Sequence, residues 1–117
     1  MKIGIDIMGG DFAPEKTVHG AILAQKELPS NTKIVLFGKK EKILSQLKIH
    51  NAYEDLFEII DCKETINMGD HAIKAFKQKS HSSISVGFHY LSTGKIDGFA
   101  SAGNTAAMFV GGFYTVK

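Results

Sequence analysis

The sequence predicts an α/β fold in which a mainly parallel sheet is covered by helices on both faces, as a three-layer sandwich. Short isoleucine-rich stretches alternate with longer stretches whose apolar residues recur at helical intervals, in the order β-α-β-α-β-α-α-β-α. Two of the predicted strands end in glycine-containing corners, one at Gly9-Gly10 and one at Gly103. The helices between successive strands supply the crossovers that parallel pairing requires.

The first predicted strand, residues 2–8, is rich in isoleucine, which suits a strand buried on both faces of a sheet. Asp6 interrupts this apolar stretch near its carboxyl end. A buried carboxylate costs free energy unless it meets hydrogen-bond donors or a cation. Asp6 therefore either faces a polar cleft at the end of the strand or accepts hydrogen bonds from a neighbouring loop.

A strand-to-helix corner follows, with the sequence MGGDFAP. Gly9 and Gly10 permit positive φ and the close approach of another group. Asp11 is expected to accept a hydrogen bond from the following helix, and Pro14 to lie in its first turn. The spacing from Gly4 to Gly9 resembles a nucleotide-binding P-loop, but the lysine and hydroxyl residues that contact phosphates and metal are absent, which excludes a P-loop NTPase.

The remaining elements are predicted from the same periodicities and from capping residues. They are a helix ending near residue 28, a strand at 33–38, a helix at 39–48, a strand at 56–60, a helix near 70–79, a helix capped by Ser82-Ser83, and a strand at 96–100. Because parallel strands end at the same edge of a sheet, both glycine corners are expected at the carboxyl edge, where ligands bind in such folds.

The second corner, residues 101–105, has the sequence SAGNT between an apolar run and a helix-compatible pattern. Such a turn presents backbone N–H groups and the positive end of a helix dipole, to which Ser101, Asn104 and Thr105 can add side-chain hydrogen bonds. One interpretation is an anion site, with phosphate as the expected ligand. The other is that Asn104 or Thr105 simply caps a helix.

Composition excludes several classes of function. The chain has 117 residues and a net charge of +2, with its lysines spread along the sequence, so nucleic acid is not expected as a partner. No signal-peptide pattern is present, and Cys62 is the one cysteine, which indicates a cytoplasmic location. Residues 98–116 carry no charge, but their glycines and polar residues favour a buried strand-turn-helix unit over a membrane span.

Cysteine and histidine chemistry is not expected either. No neighbouring histidine or helix start activates Cys62, so it is interpreted as a small buried apolar residue. The spacings of His71, His81 and His89 match no standard zinc pattern, and no metal or other cofactor is expected.

Taken together, the motifs DIMGGDFAP at residues 6–14 and SAGNT at 101–105 resemble those of the phosphate acyltransferase family of bacterial phospholipid synthesis. The segment KAFKQKSHSS at residues 74–83 is similar to a basic segment of that family, although Ala72 and Ser80 stand where the family usually has proline and lysine. The resemblance runs in order from Met1 to Lys117 and implies a Rossmann-like fold of the isocitrate and isopropylmalate dehydrogenase kind.

The resemblance implies an enzyme that transfers a fatty acyl group from acyl carrier protein to inorganic phosphate. It also implies a homodimer and peripheral attachment to the membrane. Ser101 and Asn104 are the implied catalytic residues. The implied phosphate- and substrate-binding residues are Gly103, Thr105, Asp6, Gly9, Gly10, Asp11, Lys79, Ser82 and Ser83.

Two other functions stay open at this point. One is a short-chain phosphate acyltransferase that acts on acyl-coenzyme A, and the other is a non-catalytic module that binds phosphate or nucleotide. Because members of the family are much longer, residues 1–117 are expected to form the N-terminal part of the α/β domain. On that expectation, the 117 residues alone do not turn over acyl carrier protein.

Overall fold

The computed structural model describes residues 1–66, 71, 74, 78–103 and 108. In this part of the chain the elements are β1 (Lys2–Asp6), α1 (Glu15–Glu27), β2 (Lys33–Gly38), α2 (Lys40–Ile49), a 3₁₀ turn (Glu54–Leu56), β3 (Glu58–Asp61), α3 (Ser83–Ser92) and β4 (Gly98–Ala100). All four strands pair in parallel, in the order β3-β2-β1-β4. The parallel α/β fold is confirmed, while the helices predicted near residues 70–79 and after residue 103 fall largely outside the described residues.

The sheet order places β1 between β2 and β4. Ile3 pairs with Ile34 of β2 on one side and with Gly98 of β4 on the other. Since the three strands run in the same direction, the loops that leave β1 and β4 emerge side by side at the carboxyl edge. The two glycine corners are therefore neighbours in the fold, and Asp6 and Ser101, 95 positions apart in sequence, are joined by a hydrogen bond beside them.

The alternation of side chains along β2 builds the two faces of the sandwich. Ile34 and Leu36 join the cluster that packs under α1 and α2, whereas Val35 and Phe37 join the cluster on the α3 side. All four side chains are fully buried. Helices on both faces explain why this strand is apolar throughout, as a strand buried on both sides must be.

The start of the first helix differs from the prediction. The helix begins at Glu15, so Pro14 precedes it and no side chain caps it. A turn at residues 11–14 separates Asp11 from the free N–H groups of the helix, which leaves the Asp11 side chain exposed. Instead, the Thr17 hydroxyl, which donates to the carbonyl of Ile7 at 2.6 Å, attaches the helix to the end of β1.

The third strand was predicted two residues too early. Residues 54–56 form a 3₁₀ turn, closed by hydrogen bonds from Leu56 N to Tyr53 O and from Phe57 N to Glu54 O. The strand begins only at Glu58. Leu56 is exposed, whereas Phe57 is buried in the cluster beneath α1 and α2. The first residue of the apolar run therefore lies in the turn, and the strand contains only its later part.

The predicted cap of the helix after residue 82 is confirmed. Ser82 is the N-cap of α3, and its hydroxyl oxygen accepts a hydrogen bond from Ser85 N at 3.1 Å. The predicted inward positions Ile84 and Phe88 are buried.

The uncharged run at residues 98–116 begins as β4, and most of it lies beyond the described part of the chain. None of the helices in the described part combines the length and apolar character needed to cross a membrane.

Gly87 of α3 lies against Phe99 of β4, and a Cβ added there would overlap the Phe99 ring. That ring packs edge-on against Phe37 and Phe88 at centroid distances of 5.6 and 5.4 Å, so it has little room to move. We expect Gly87→Ala to lower the free energy of unfolding by about 1–3 kcal/mol, as measured by urea denaturation.

Gly20→Ala is the matched control, because Gly20 lies on the exposed side of α1 with no atom near an added Cβ. It should raise stability by about 0.5–1 kcal/mol through the helix propensity of alanine. Equal effects of the two substitutions would contradict the α3–β4 packing.

Candidate active site

The candidate site is organised around Asp6, the last residue of β1, which is 2% exposed. One carboxylate oxygen accepts hydrogen bonds from Met8 N at 3.0 Å and from the Ser83 hydroxyl at 2.5 Å. The other accepts from the Ser101 hydroxyl at 2.6 Å. These donors come from the loop after β1, the start of α3 and the end of β4, so one carboxylate joins three segments.

Of the two interpretations of Asp6, the geometry supports hydrogen bonding by neighbouring segments. Three donors offset the cost of burying a carboxylate, and hydrogen bonds to a charged group are stronger than those between neutral groups. The Ser83 and Ser101 donors lie 77 and 95 positions away in sequence. Asp6 is therefore a long-range tether as well as part of the site.

Ser101 links this tether to the second glycine corner. Its hydroxyl donates to Asp6, and its oxygen accepts a hydrogen bond from Gly103 N at 3.0 Å. The side chain thus fixes the direction of the backbone that enters the SAGNT turn. Ser101 therefore influences the corner by fixing its backbone conformation. Gly103 is buried beside it.

The two glycine corners are in backbone contact. A Cβ on Gly9 would lie 2.6 Å from Asp6 Oδ2, 2.7 Å from Ser101 Oγ and 2.8 Å from Gly103 N. A Cβ on Gly103 would lie 3.1 Å from Gly9 Cα. Gly9 requires glycine because the facing corner occupies the space of a side chain, and at Gly103 an added Cβ would be in unusually tight contact with the same corner.

Gly10 needs glycine for a different reason, since its φ is +104°, which side-chain-bearing residues rarely adopt. The positive φ expected at this corner occurs at Gly10. Gly9 instead allows the second glycine corner to approach closely.

Two of the other predicted binding residues lie on the segment that leads into α3. Lys79 Nζ donates to the carbonyl of Thr65 at 2.9 Å, and the Ser82 hydroxyl is engaged with Ser85. Ser83, by contrast, belongs to the Asp6 cluster. Asp11 is exposed, and Asn104 and Thr105 lie outside the described residues.

Cys62 is a free, buried cysteine that directly follows β3. Desolvation, followed by the negative charges of Asp6 and Asp61, raises the pKa of its thiol from 9.0 to about 12. The thiol is therefore protonated at neutral pH, in line with its interpretation as a small apolar residue. Over the described ranges no three His, Cys, Asp or Glu side chains form a group suited to a metal ion.

Sequence reasoning identified Asp6, Ser83 and Ser101 separately but not the hydrogen bonds among them. A signal was present, since a carboxylate in a doubly buried strand must find donors. The positions of those donors become evident only from the sheet order.

Comparison with known proteins identifies the family. The family model described as "Fatty acid synthesis protein" matches residues 1–117, the whole chain. The chain belongs to this family. A relative from Caldicellulosiruptor bescii, named phosphate acyltransferase, is 47% identical over 116 residues. Relatives of the same name from Clostridium tetani and Lysinibacillus sphaericus are 39% and 37% identical.

These three alignments cover 99% of this chain and 34% of each relative. The chain thus spans about a third of the length of the curated relatives that it matches. Both glycine corners and the Asp6 cluster lie within that third.

We expect Gly9→Ala to lower the free energy of unfolding by about 1–3 kcal/mol, because the new methyl group forces Asp6, Ser101 and the Gly103 backbone apart. Gly98→Ala is the matched control, since an added Cβ meets no atom within 4 Å there. Urea denaturation of both variants checks the expectation, with the control within about 0.5 kcal/mol of the parent. If Gly9→Ala were as stable as Gly98→Ala, the corners would not be in contact.

Proposed function

We propose that this chain forms the phosphate-binding part of an enzyme that transfers a fatty acyl group from acyl carrier protein to inorganic phosphate. The supporting observation is the contact between the two glycine corners at the carboxyl edge of the sheet, held by Asp6. The name shared by the relatives supports the transfer of an acyl group to phosphate.

In the proposed reaction, a phosphate oxygen attacks the carbonyl carbon of the acyl thioester. A carbon–oxygen bond forms, the carbon–sulfur bond breaks, and the carrier leaves as a thiolate that takes up a proton. The protein must hold a phosphate dianion beside the carbonyl and stabilise the developing oxyanion, which fixed N–H donors can do. We assign this task to the backbone N–H groups that follow Gly103, because Ser101 fixes the direction of the backbone that leads to them.

The proposal divides the predicted residues into two groups. Asp6, Ser83 and Ser101 position the corner, because their polar groups are occupied by one another. Asn104 and Thr105 follow Gly103 directly in the sequence, and we assign the phosphate contact to them. Lys79 adds positive charge at the segment that enters α3, where it attracts the dianion.

Formation of acyl phosphate tests the proposed reaction. The protein at its full natural length is incubated with acylated carrier protein and phosphate, and acyl phosphate is trapped with hydroxylamine. We expect product with this donor and a much lower rate with acyl-coenzyme A. A preference for acyl-coenzyme A would favour the short-chain alternative, and no product with either donor would contradict an acyltransferase.

In the same protein, Asn104→Asp should weaken phosphate binding about tenfold or more, because a carboxylate repels the dianion at short range. Calorimetric titration with phosphate measures the change. Asn31→Asp introduces the same charge on an exposed loop before β2, at the opposite edge of the sheet, and is the control. Unchanged phosphate affinity in Asn104→Asp would remove Asn104 from the site.

A further inference from the structure

A basic depression lies at the carboxyl edge, beside the candidate active site. It has a volume of ≈ 580 Å³ and lies between the start of α2 and the end of β3; its lining residues are Lys39, Lys40, Glu41, Leu44, Asp61 and Lys63. Lys39 follows β2 and Lys63 follows β3, so the fold brings together lysines from two separate loops. We call Lys39, Lys40, Lys42 and Lys63 the lysine patch.

The lysines of the patch form no ion pair within 4 Å among the described residues, and they outnumber the two carboxylates, Glu41 and Asp61, that line the depression. The ion pair found within 4 Å among the described residues joins Lys2 to Glu58, at the opposite edge of the sheet. Within the depression, the Asp61 carboxylate accepts a hydrogen bond from Lys40 N at 3.1 Å and thereby caps the start of α2. Ammonium groups that gather without partners repel one another, which favours an external negative surface.

The lysine patch extends toward the first glycine corner. Lys42 lines a second depression of ≈ 400 Å³ together with Pro14, the residue that precedes α1. The corner at Gly9-Gly10 and the lysine patch therefore lie on adjacent loops of one edge. A macromolecule that binds at the patch therefore lies next to the candidate active site.

We propose that the lysine patch docks the acidic surface of a protein that delivers the acyl group. This inference rests on the proposed function, in which the acyl donor is a carrier protein. Positive patches of this kind accelerate encounter and set the orientation of a negatively charged partner. Docking here presents the thioester arm of the partner to the corner that holds phosphate.

The local chemistry favours a protein over the other anionic ligands. The Asp61 carboxylate already occupies the N-terminus of α2, so a free phosphate ion meets a competing negative charge there. Among the described residues, no large exposed apolar side chain lines the depression. This argues against insertion of the depression into a membrane. Glu41 and Asp61 among the lysines give a mixed pattern, which selects one orientation of a folded partner.

The test replaces three lysines of the patch, Lys39→Glu, Lys40→Glu and Lys63→Glu, in the protein at its full natural length. A control triple, Lys16→Glu, Lys26→Glu and Lys48→Glu, makes the same change in net charge on exposed helix positions elsewhere. Calorimetry at low salt measures the affinity for unacylated carrier protein, and thermal melting confirms that each triple folds. We expect the patch triple to bind at least about tenfold more weakly, and the control to change by less than about threefold.

Phosphate affinity and turnover of a small acyl thioester are measured in the same variants and should match the parent. If the parent protein itself neither bound phosphate nor turned over the thioester, the proposed function would be contradicted, whereas docking is judged from carrier affinity alone. Equal weakening in both triples, no weakening in the patch triple, or no binding of carrier protein by the parent would overturn the inference. Patch-dependent binding of anionic lipid vesicles without binding of carrier protein would also overturn it, in favour of a membrane surface.

Discussion

The hydrogen bonds accepted by the Asp6 carboxylate are the constraint on which the carboxyl edge depends. A carboxylate that is 2% exposed is tolerated only with donors, and the donors here come from the loop after β1, the start of α3 and the end of β4. Displacing any one of these segments leaves a buried polar group without its partner. The sheet brings the segments near one another, and Asp6 fixes their positions.

The glycines follow from this constraint. With Ser101 held at 2.6 Å from Asp6, the two corners approach so closely that Gly9 has no room for a side chain and Gly103 has little. Gly10 then reverses the chain with a positive φ. A motif that reads as two separate glycine turns in the sequence is one packed unit in the fold.

The architecture was predictable because it depends on local patterns. Periodicity along the chain predicted the strands and helices, and Ser82 was predicted correctly as the cap of α3. The errors arose where a local pattern was ambiguous: Leu56 extends an apolar run but lies in a 3₁₀ turn, and Asp11 resembles a cap but is separated from α1 by a turn. Contacts over 77 and 95 residues were not predictable, because nothing in the sequence spacing distinguishes Ser83 and Ser101 from serines on the surface.

The lysine patch illustrates the same limit. Lys39, Lys40 and Lys42 read as a solvated face of a helix in the sequence, and only the pairing of β2 with β3 places Lys63 beside them. Charge density at a surface is a property of the fold, whereas net charge is a property of the composition. The net charge of +2 for the whole chain therefore does not indicate that lysines cluster on one part of the surface.

A double-mutant cycle between Asp6→Asn and Ser101→Ala tests most directly whether Asp6 holds the corners together. The free energy of unfolding is measured by urea denaturation for the parent, both single variants and the double variant, with Ser92→Ala replacing Ser101→Ala in a control cycle. Because the two side chains share a hydrogen bond to a charged group, we expect a coupling energy of about 1–3 kcal/mol, and none in the control. Additivity within about 0.5 kcal/mol in the Asp6–Ser101 cycle would contradict the account.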